Sequence, residues 1–148
     1  MKPTIFLRIA SVLTLIHSIL HTVGGVFSSP GPGAAAVAYA AMQSNQFLLL
    51  GHLRSYADFY RGLGLGITIF LTVDALVLWL LASLAKTDAA RLRPILAVYL
   101  AGYLVFSVNS WFYFFIGPVI AELLIVACLA GAILTAKNSE GMRAAQPA

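Results

Sequence analysis

The sequence predicts an all-α integral membrane protein, a four-helix bundle. Of its 148 residues, 61% are hydrophobic and only 9% are charged, whereas soluble domains contain roughly 25% charged residues. Four apolar runs are long enough to cross a bilayer core, which takes about 20 helical residues. No series of short segments with alternating polarity is present, so a membrane β-barrel is excluded.

The four predicted spans cover residues 5–26, 59–84, 95–115 and 119–136 of a single transmembrane domain, residues 1–137. Residues 138–148 are polar and are predicted to form a disordered cytoplasmic tail. The first span also has the basic start and apolar length of a secretory signal peptide. Its apolar stretch continues past Leu20 without a small-residue cleavage site, so we expect it to be retained.

The first span is followed by a long extramembrane loop. Residues 28–33, SSPGPG, end the helix, because proline removes a backbone donor and glycine relaxes the backbone. Residues 34–46 then read as a short helix. It is too short to span and is predicted to lie at the membrane interface. The last two spans are predicted to be joined by a tight turn at residues 116–118.

Lysine and arginine flank the spans on one predicted side of the membrane. These residues are Lys2, Arg8, Lys86, Arg91, Arg93, Lys137 and Arg143. Both termini are therefore predicted to be cytoplasmic. The net charge of +4 is explained by this topology, so membrane lipid is an expected partner and nucleic acid is not. The single cysteine, Cys128, excludes internal disulfides and CxxC-type redox chemistry.

Two histidines interrupt the first apolar run. His17 and His21 are four residues apart and therefore share a helix face. With the predicted topology, His17 lies near the membrane middle and His21 roughly 6 Å nearer the outer surface. Asp58 opens the second span at the same outer side, and Glu122 lies about one turn into the fourth span. An intramembrane acid costs on the order of 2.5 to 3.5 kcal/mol unless it is paired or neutral.

These placements predict an outward-facing polar pocket that binds a small lipophilic ligand. The predicted ligand-binding residues are His17, His21, His52, Tyr56, Asp58, Tyr60, Arg61, Asn109, Trp111 and Glu122. Acid–base chemistry on the ligand would use His17, His21, Asp58 or Glu122. Asp74 lies apart from this set, and a separate inner site there stays open.

Two alternatives compete with the ligand pocket. In the first, His17 and His21 bind a metal ion or haem, with His52, Asp58 or Glu122 completing the site. In the second, the protein is a structural or assembly subunit whose histidines hydrogen-bond between helices. The spacing of Gly62 and Gly66 is typical of close helix packing, within the bundle or in a homo-oligomer.

Two stretches carry a resemblance to known membrane proteins. RIASVLTLIHSILHTVGG, followed by the Pro/Gly-rich loop and RSYADFYRGLGL, resembles a family of small four-helix bacterial membrane proteins whose activity is not characterised. The resemblance implies four spans in a bacterial inner membrane. A looser likeness is to the EXPERA-type fold of sterol isomerases and sterol-binding proteins. That likeness implies pocket roles for Asp58, Asn109, Trp111 and Glu122.

Overall fold

The computed structural model of the chain describes residues 2–136. The described residues are mostly helical, and the predicted all-α class is confirmed. The elements are α1 Pro3–His21, α2 Ala34–Ser44, β1 Gln46–Leu49, β2 His52–Ser55, α3 Tyr56–Asp88, α4 Arg93–Tyr113 and α5 Ile116–Thr135. The predicted tail, residues 138–148, and the basic residues Lys137 and Arg143 lie outside the described residues.

Four of these helices are long and apolar enough to cross a membrane, which indicates a multi-pass membrane protein. A π-helical turn, Thr22–Val26, extends α1, and a 3-10 turn, Ala90–Leu92, precedes α4. The helix α3 starts and ends outside the predicted span 59–84. Its added turns carry Asp58 at the start and Lys86 at the end, and each of these charges is favoured there by the helix dipole.

The predicted tight turn at residues 116–118 is wrong. Instead, α5 begins at Ile116 and contains this tripeptide in its first turn. Pro118 is tolerated there because the first amides of a helix have no intrahelical acceptor, so the missing donor costs nothing. The connection between α4 and α5 is the extended pair Phe114 and Phe115.

A two-stranded antiparallel hairpin stands before α3 and was not predicted. Gln46 pairs with Ser55, and Leu49 pairs with His52. Leu50 and Gly51 form the turn with φ values of 49° and 82°, the left-handed conformation that two-residue hairpin turns require. Leucine is an unusual residue in that position, which is why the sequence did not signal the turn.

The described chain divides into two compact units. Unit 1 comprises residues 2–17 and 71–136, and unit 2 comprises residues 18–70. The interior of unit 1 is an apolar cluster that includes Leu7, Leu78, Leu96, Ile125 and Leu129. Unit 2 contains the π-helical turn, α2, the hairpin and the first part of α3.

Candidate functional site

Glu122 on α5 is the most deeply buried acid in unit 1, with 0% of its surface exposed. The Ser110 hydroxyl on α4 donates a hydrogen bond to Glu122 Oε1 at 2.8 Å. The other oxygen, Oε2, is buried and has no hydrogen-bond partner among the described residues. Ser110 is also buried, with 1% of its surface exposed. Half of this carboxyl group therefore presents an unused acceptor inside the protein.

His17 on α1 is the second buried titratable group of unit 1 that the sequence singled out. It is 7% exposed, and its ring stacks on Phe106 of α4, with 6.3 Å between the ring centroids and an interplanar angle of 22°. Phe106 and Ser110 are one helical turn apart on α4, roughly 6 Å along its axis. His17 and Glu122 are thus held by neighbouring turns of the same helix.

A second polar cluster in unit 1 surrounds Asp74 of α3. Two tyrosines of α4 donate to its carboxyl group: Tyr99 to Oδ1 at 3.4 Å and Tyr103 to Oδ2 at 3.3 Å. The Tyr103 hydroxyl also lies 3.4 Å from Thr14 Oγ1 on α1. Asp74 therefore belongs to a hydrogen-bonded cluster of three helices.

His21 contacts backbone rather than another predicted site residue. Its Nε2 lies 3.0 Å from the carbonyl oxygen of Gly64, and because a carbonyl oxygen only accepts, Nε2–H is the donor. Two further bonds join the same segments of unit 2: Ser18 Oγ donates to Thr68 O at 3.1 Å, and the Thr22 and Thr68 hydroxyls are 2.9 Å apart. These contacts support the structural interpretation of His21.

Asp58 forms a reciprocal helix cap in unit 2. Ser55 Oγ accepts a bond from the Asp58 amide at 3.1 Å, and Asp58 Oδ2 accepts bonds from the Ser55 amide at 3.0 Å and the Ser55 hydroxyl at 2.8 Å. This is a capping box with aspartate as the acidic residue. Arg61 donates instead to the Tyr39 hydroxyl of α2 at 3.0 Å. Among the described residues, neither Arg54 nor Arg61 forms an ion pair with Asp58.

Most predicted ligand-binding residues have exposed side chains. The exposed ones are His52, Tyr56, Asp58, Tyr60, Arg61, Asn109 and Trp111, while His21 is half-buried. Asp58 also lines a shallow depression of about 260 Å³ together with Arg54, Phe59, Gly62 and Leu63. Across residues 2–136, no group of three or more His, Cys, Asp or Glu side chains is placed to hold a metal ion.

No match was found to a protein-family model, a curated protein or a solved structure. The resemblances to small four-helix bacterial membrane proteins and to the EXPERA-type fold therefore stay predictions.

A stripe of hydroxyl groups on α4 was not predicted from the sequence. Tyr99, Tyr103, Ser107 and Ser110 follow one another at spacings of four, four and three residues, which places all four on one helix face. Tyr103, Ser107 and Ser110 are buried. The signal in the sequence is a row of hydroxyl residues at helical spacing inside an apolar span, without any acid or histidine among them.

Proposed function

We propose that this chain is a multi-pass protein of the bacterial inner membrane that binds a small lipophilic ligand at Glu122. Both termini are proposed to be cytoplasmic. Arg8 near the start of α1, Lys86 at the end of α3 and Arg93 at the start of α4 fall on one side if successive spans alternate in direction. An excess of basic residues on one side is typical of cytoplasmic loops.

The observation that carries this proposal is the unused oxygen of Glu122. A buried carboxyl oxygen that lacks a donor costs about 1 to 3 kcal/mol, and polar groups inside a membrane protein usually have a partner. Glu122 Oε2 has none in the described chain. A ligand that donates a hydrogen bond to Oε2 would remove this cost.

The surroundings of Glu122 define the rest of the ligand. Val119 and Ile125 lie on the same buried face of α5, and Phe106 lies one turn from Ser110 on α4. A molecule with one hydroxyl or amine group and an apolar body matches the chemistry of these side chains. His17, stacked on Phe106, adds the side chain best suited to proton transfer, so acid–base chemistry on the bound molecule is the natural extension.

The test compares a medium-chain fatty alcohol with its methyl ether, which has the same apolar body but no donor. Binding to the protein in lipid nanodiscs is measured by native mass spectrometry. We expect the alcohol to bind up to about tenfold more tightly than the ether, since a typical hydrogen bond contributes about 0.5 to 1.5 kcal/mol. Glu122→Leu should abolish this preference.

The matched control is Asp88→Leu, which removes from unit 1 a different carboxyl group, the one paired with Arg91 at the end of α3. It should retain the preference for the alcohol. Equal binding of alcohol and ether by the unaltered protein, no binding of either, or an unchanged preference in Glu122→Leu would each contradict the proposal.

A second candidate function, an assembly subunit, is favoured by the glycines of α3. A Cβ atom built on Gly62 or Gly66 would meet no described atom within 4 Å, whereas one on Gly64 would lie 2.9 Å from Val26 Cγ2. Gly62 and Gly66 are therefore available for close approach of a second copy. Cross-linking of single-cysteine variants at these positions tests this candidate, and monomer-only products would refute it.

The helix α2 is proposed to lie at the outer membrane interface. Its 11 residues are too few to span a bilayer. The Tyr39 hydroxyl accepts a hydrogen bond from Arg61 at 3.0 Å, which ties α2 to the start of α3 within unit 2. Tyrosine and arginine are both common at the headgroup level.

A further inference from the structure

Asp74 is a carboxyl group near the middle of the longest helix, α3. Its hydrogen-bond partners are the neutral hydroxyls of Tyr99 and Tyr103. Within residues 2–136, the ion pair that the structure contains is Arg91 with Asp88, so Asp74 has no cationic partner there. An ionisable residue inside a span is costly to keep charged and is usually functional.

The hydroxyl of Tyr103 has one proton and two acceptors. Asp74 Oδ2 lies at 3.3 Å on α3, and Thr14 Oγ1 lies at 3.4 Å on α1. Both distances are long for O–H···O bonds, as expected of a donor placed between two acceptors. Thr14 donates its own proton to Ala10 O at 2.9 Å, so towards Tyr103 it can only accept.

These directions of donation depend on the proton of Asp74. When the carboxyl is ionised, it has no proton to give, and both tyrosines donate to it. When it is protonated, it can donate to the Tyr103 oxygen, and the Tyr103 proton is then available to Thr14. A continuous chain of donors results, from Asp74 through Tyr103 and Thr14 to Ala10 O.

We propose that Asp74 is an intramembrane proton-binding site and that Tyr103 transmits its state from α3 to α1. A proton from the aqueous phase bonds to the carboxylate, and no other covalent bond forms or breaks. The Tyr103 O–H bond stays intact and rotates from Asp74 to Thr14. This inference does not depend on ligand binding at Glu122.

The other titratable and charged groups of unit 1 leave this role to Asp74. On α4, the facing groups are Tyr99 and Tyr103. On α1, His17 lies one turn beyond Thr14, and Arg8 is engaged with the Trp79 ring, 3.4 Å from its centroid, and with Ser83. On α5, Glu122 is bonded to Ser110, about two turns along α4 from Tyr103.

The experiment is a pH titration of the full-length protein in lipid vesicles, followed by infrared difference spectroscopy. We expect a protonated-carboxyl C=O band that disappears as pH rises. Isotope-labelled aspartate should shift this band and labelled glutamate should not, which assigns it to aspartate without any substitution. The band should be absent in Asp74→Asn and present in Asp88→Asn, the matched control on the same helix.

Two further variants test the role of Tyr103 while keeping the carboxyl group. Tyr103→Phe removes a donor to the charged form, so the titration midpoint should rise. Thr14→Val removes the acceptor used in the protonated form, so the midpoint should fall. For a hydrogen bond of ordinary strength, each shift is about half to one pH unit.

Each outcome decides a separate part of the inference. A band that shifts with labelled glutamate, or one that does not change with pH, would overturn the assignment to Asp74. Midpoints that move in the same direction in Tyr103→Phe and Thr14→Val would overturn the rotation of Tyr103. Should Asp74→Asn fail to fold, a band that shifts with labelled aspartate and persists in both Asp58→Asn and Asp88→Asn still assigns it to Asp74, since these are the three aspartates of the chain.

Discussion

In this protein two serine hydroxyls donate to carboxyl groups over the same distance, but the two pairs differ in burial and in the parts of the chain that they join. In unit 2, the Ser55 hydroxyl donates to Asp58 at 2.8 Å, and in unit 1 the Ser110 hydroxyl donates to Glu122 at 2.8 Å. The first pair is three residues apart, and Asp58 is exposed. The second pair joins α4 to α5, and Glu122 is completely buried.

This difference shows that burial, more than bond geometry, distinguishes a structural acid from a candidate functional one. The Asp58 carboxylate can be solvated and completes a local helix cap, so its bonds to Ser55 explain it fully. Glu122 is removed from water and accepts a hydrogen bond from only one described donor. A buried polar group that lacks some of its hydrogen bonds carries a large free-energy cost. The residue that the fold does not explain is the better candidate for function.

The largest effect is expected when the buried pair is broken. Ser110→Ala leaves Glu122 without the one donor described for it and should lower the free energy of unfolding by about 1 to 3 kcal/mol. Unfolding in mixed detergent micelles measures this change. Adding Glu122→Leu should restore most of the loss, because two matched apolar groups carry no unsatisfied atom. No recovery in the double variant would show that Ser110 acts through something other than Glu122.

Breaking the pair that contains the exposed Asp58 should cost less. Ser55→Ala removes the N-cap of α3 and should lower the free energy of unfolding by about 1 kcal/mol. Hydrogen exchange should increase at the first-turn amides of α3 and stay unchanged in α5. Ser44→Ala, which changes an exposed serine at the end of α2, is the control. Loss of alcohol binding in Ser55→Ala would argue that the cap belongs to the ligand site.

The sequence predicted the helical class because long apolar runs and rare charges dominate the composition. The predicted second span began only at residue 59, although Ser55 and Asp58 form a local capping signal, a serine three residues before an acid, that marks an earlier helix start. The sequence could not separate Asp58 from Glu122, because whether an acid is buried depends on residues distant in the chain. The Leu50–Gly51 turn and the cluster around Asp74 were missed for related reasons: the first uses an atypical residue, and the second joins three helices.

The two histidines of α1 differ in the same way, because His17 is buried in unit 1 and His21 is half-buried in unit 2. His21→Phe removes the bond to Gly64 O and should lower the free energy of unfolding by about 0.6 kcal/mol, a typical value for hydrogen bonds between membrane helices. Binding of the fatty alcohol should not change. His17→Phe should instead weaken alcohol binding, because the imidazole stacks on Phe106, which lies one turn from Ser110 on α4. If the two variants exchanged these effects, the division between His21 and His17 would be wrong.

The smallest effect is expected at Gly62 and Gly64 of α3, which differ in how close the nearest described atoms lie. Gly62→Ala should raise the free energy of unfolding by about 0.5 kcal/mol, because alanine loses less backbone entropy than glycine and a Cβ there meets no described atom. Gly64→Ala should be destabilising, since its Cβ would lie 2.9 Å from Val26 Cγ2, and Val26→Ala should relieve that clash. If Gly62→Ala were destabilising only at high protein concentration, a second copy would be packing on this glycine, and the assembly function would be favoured over the ligand site.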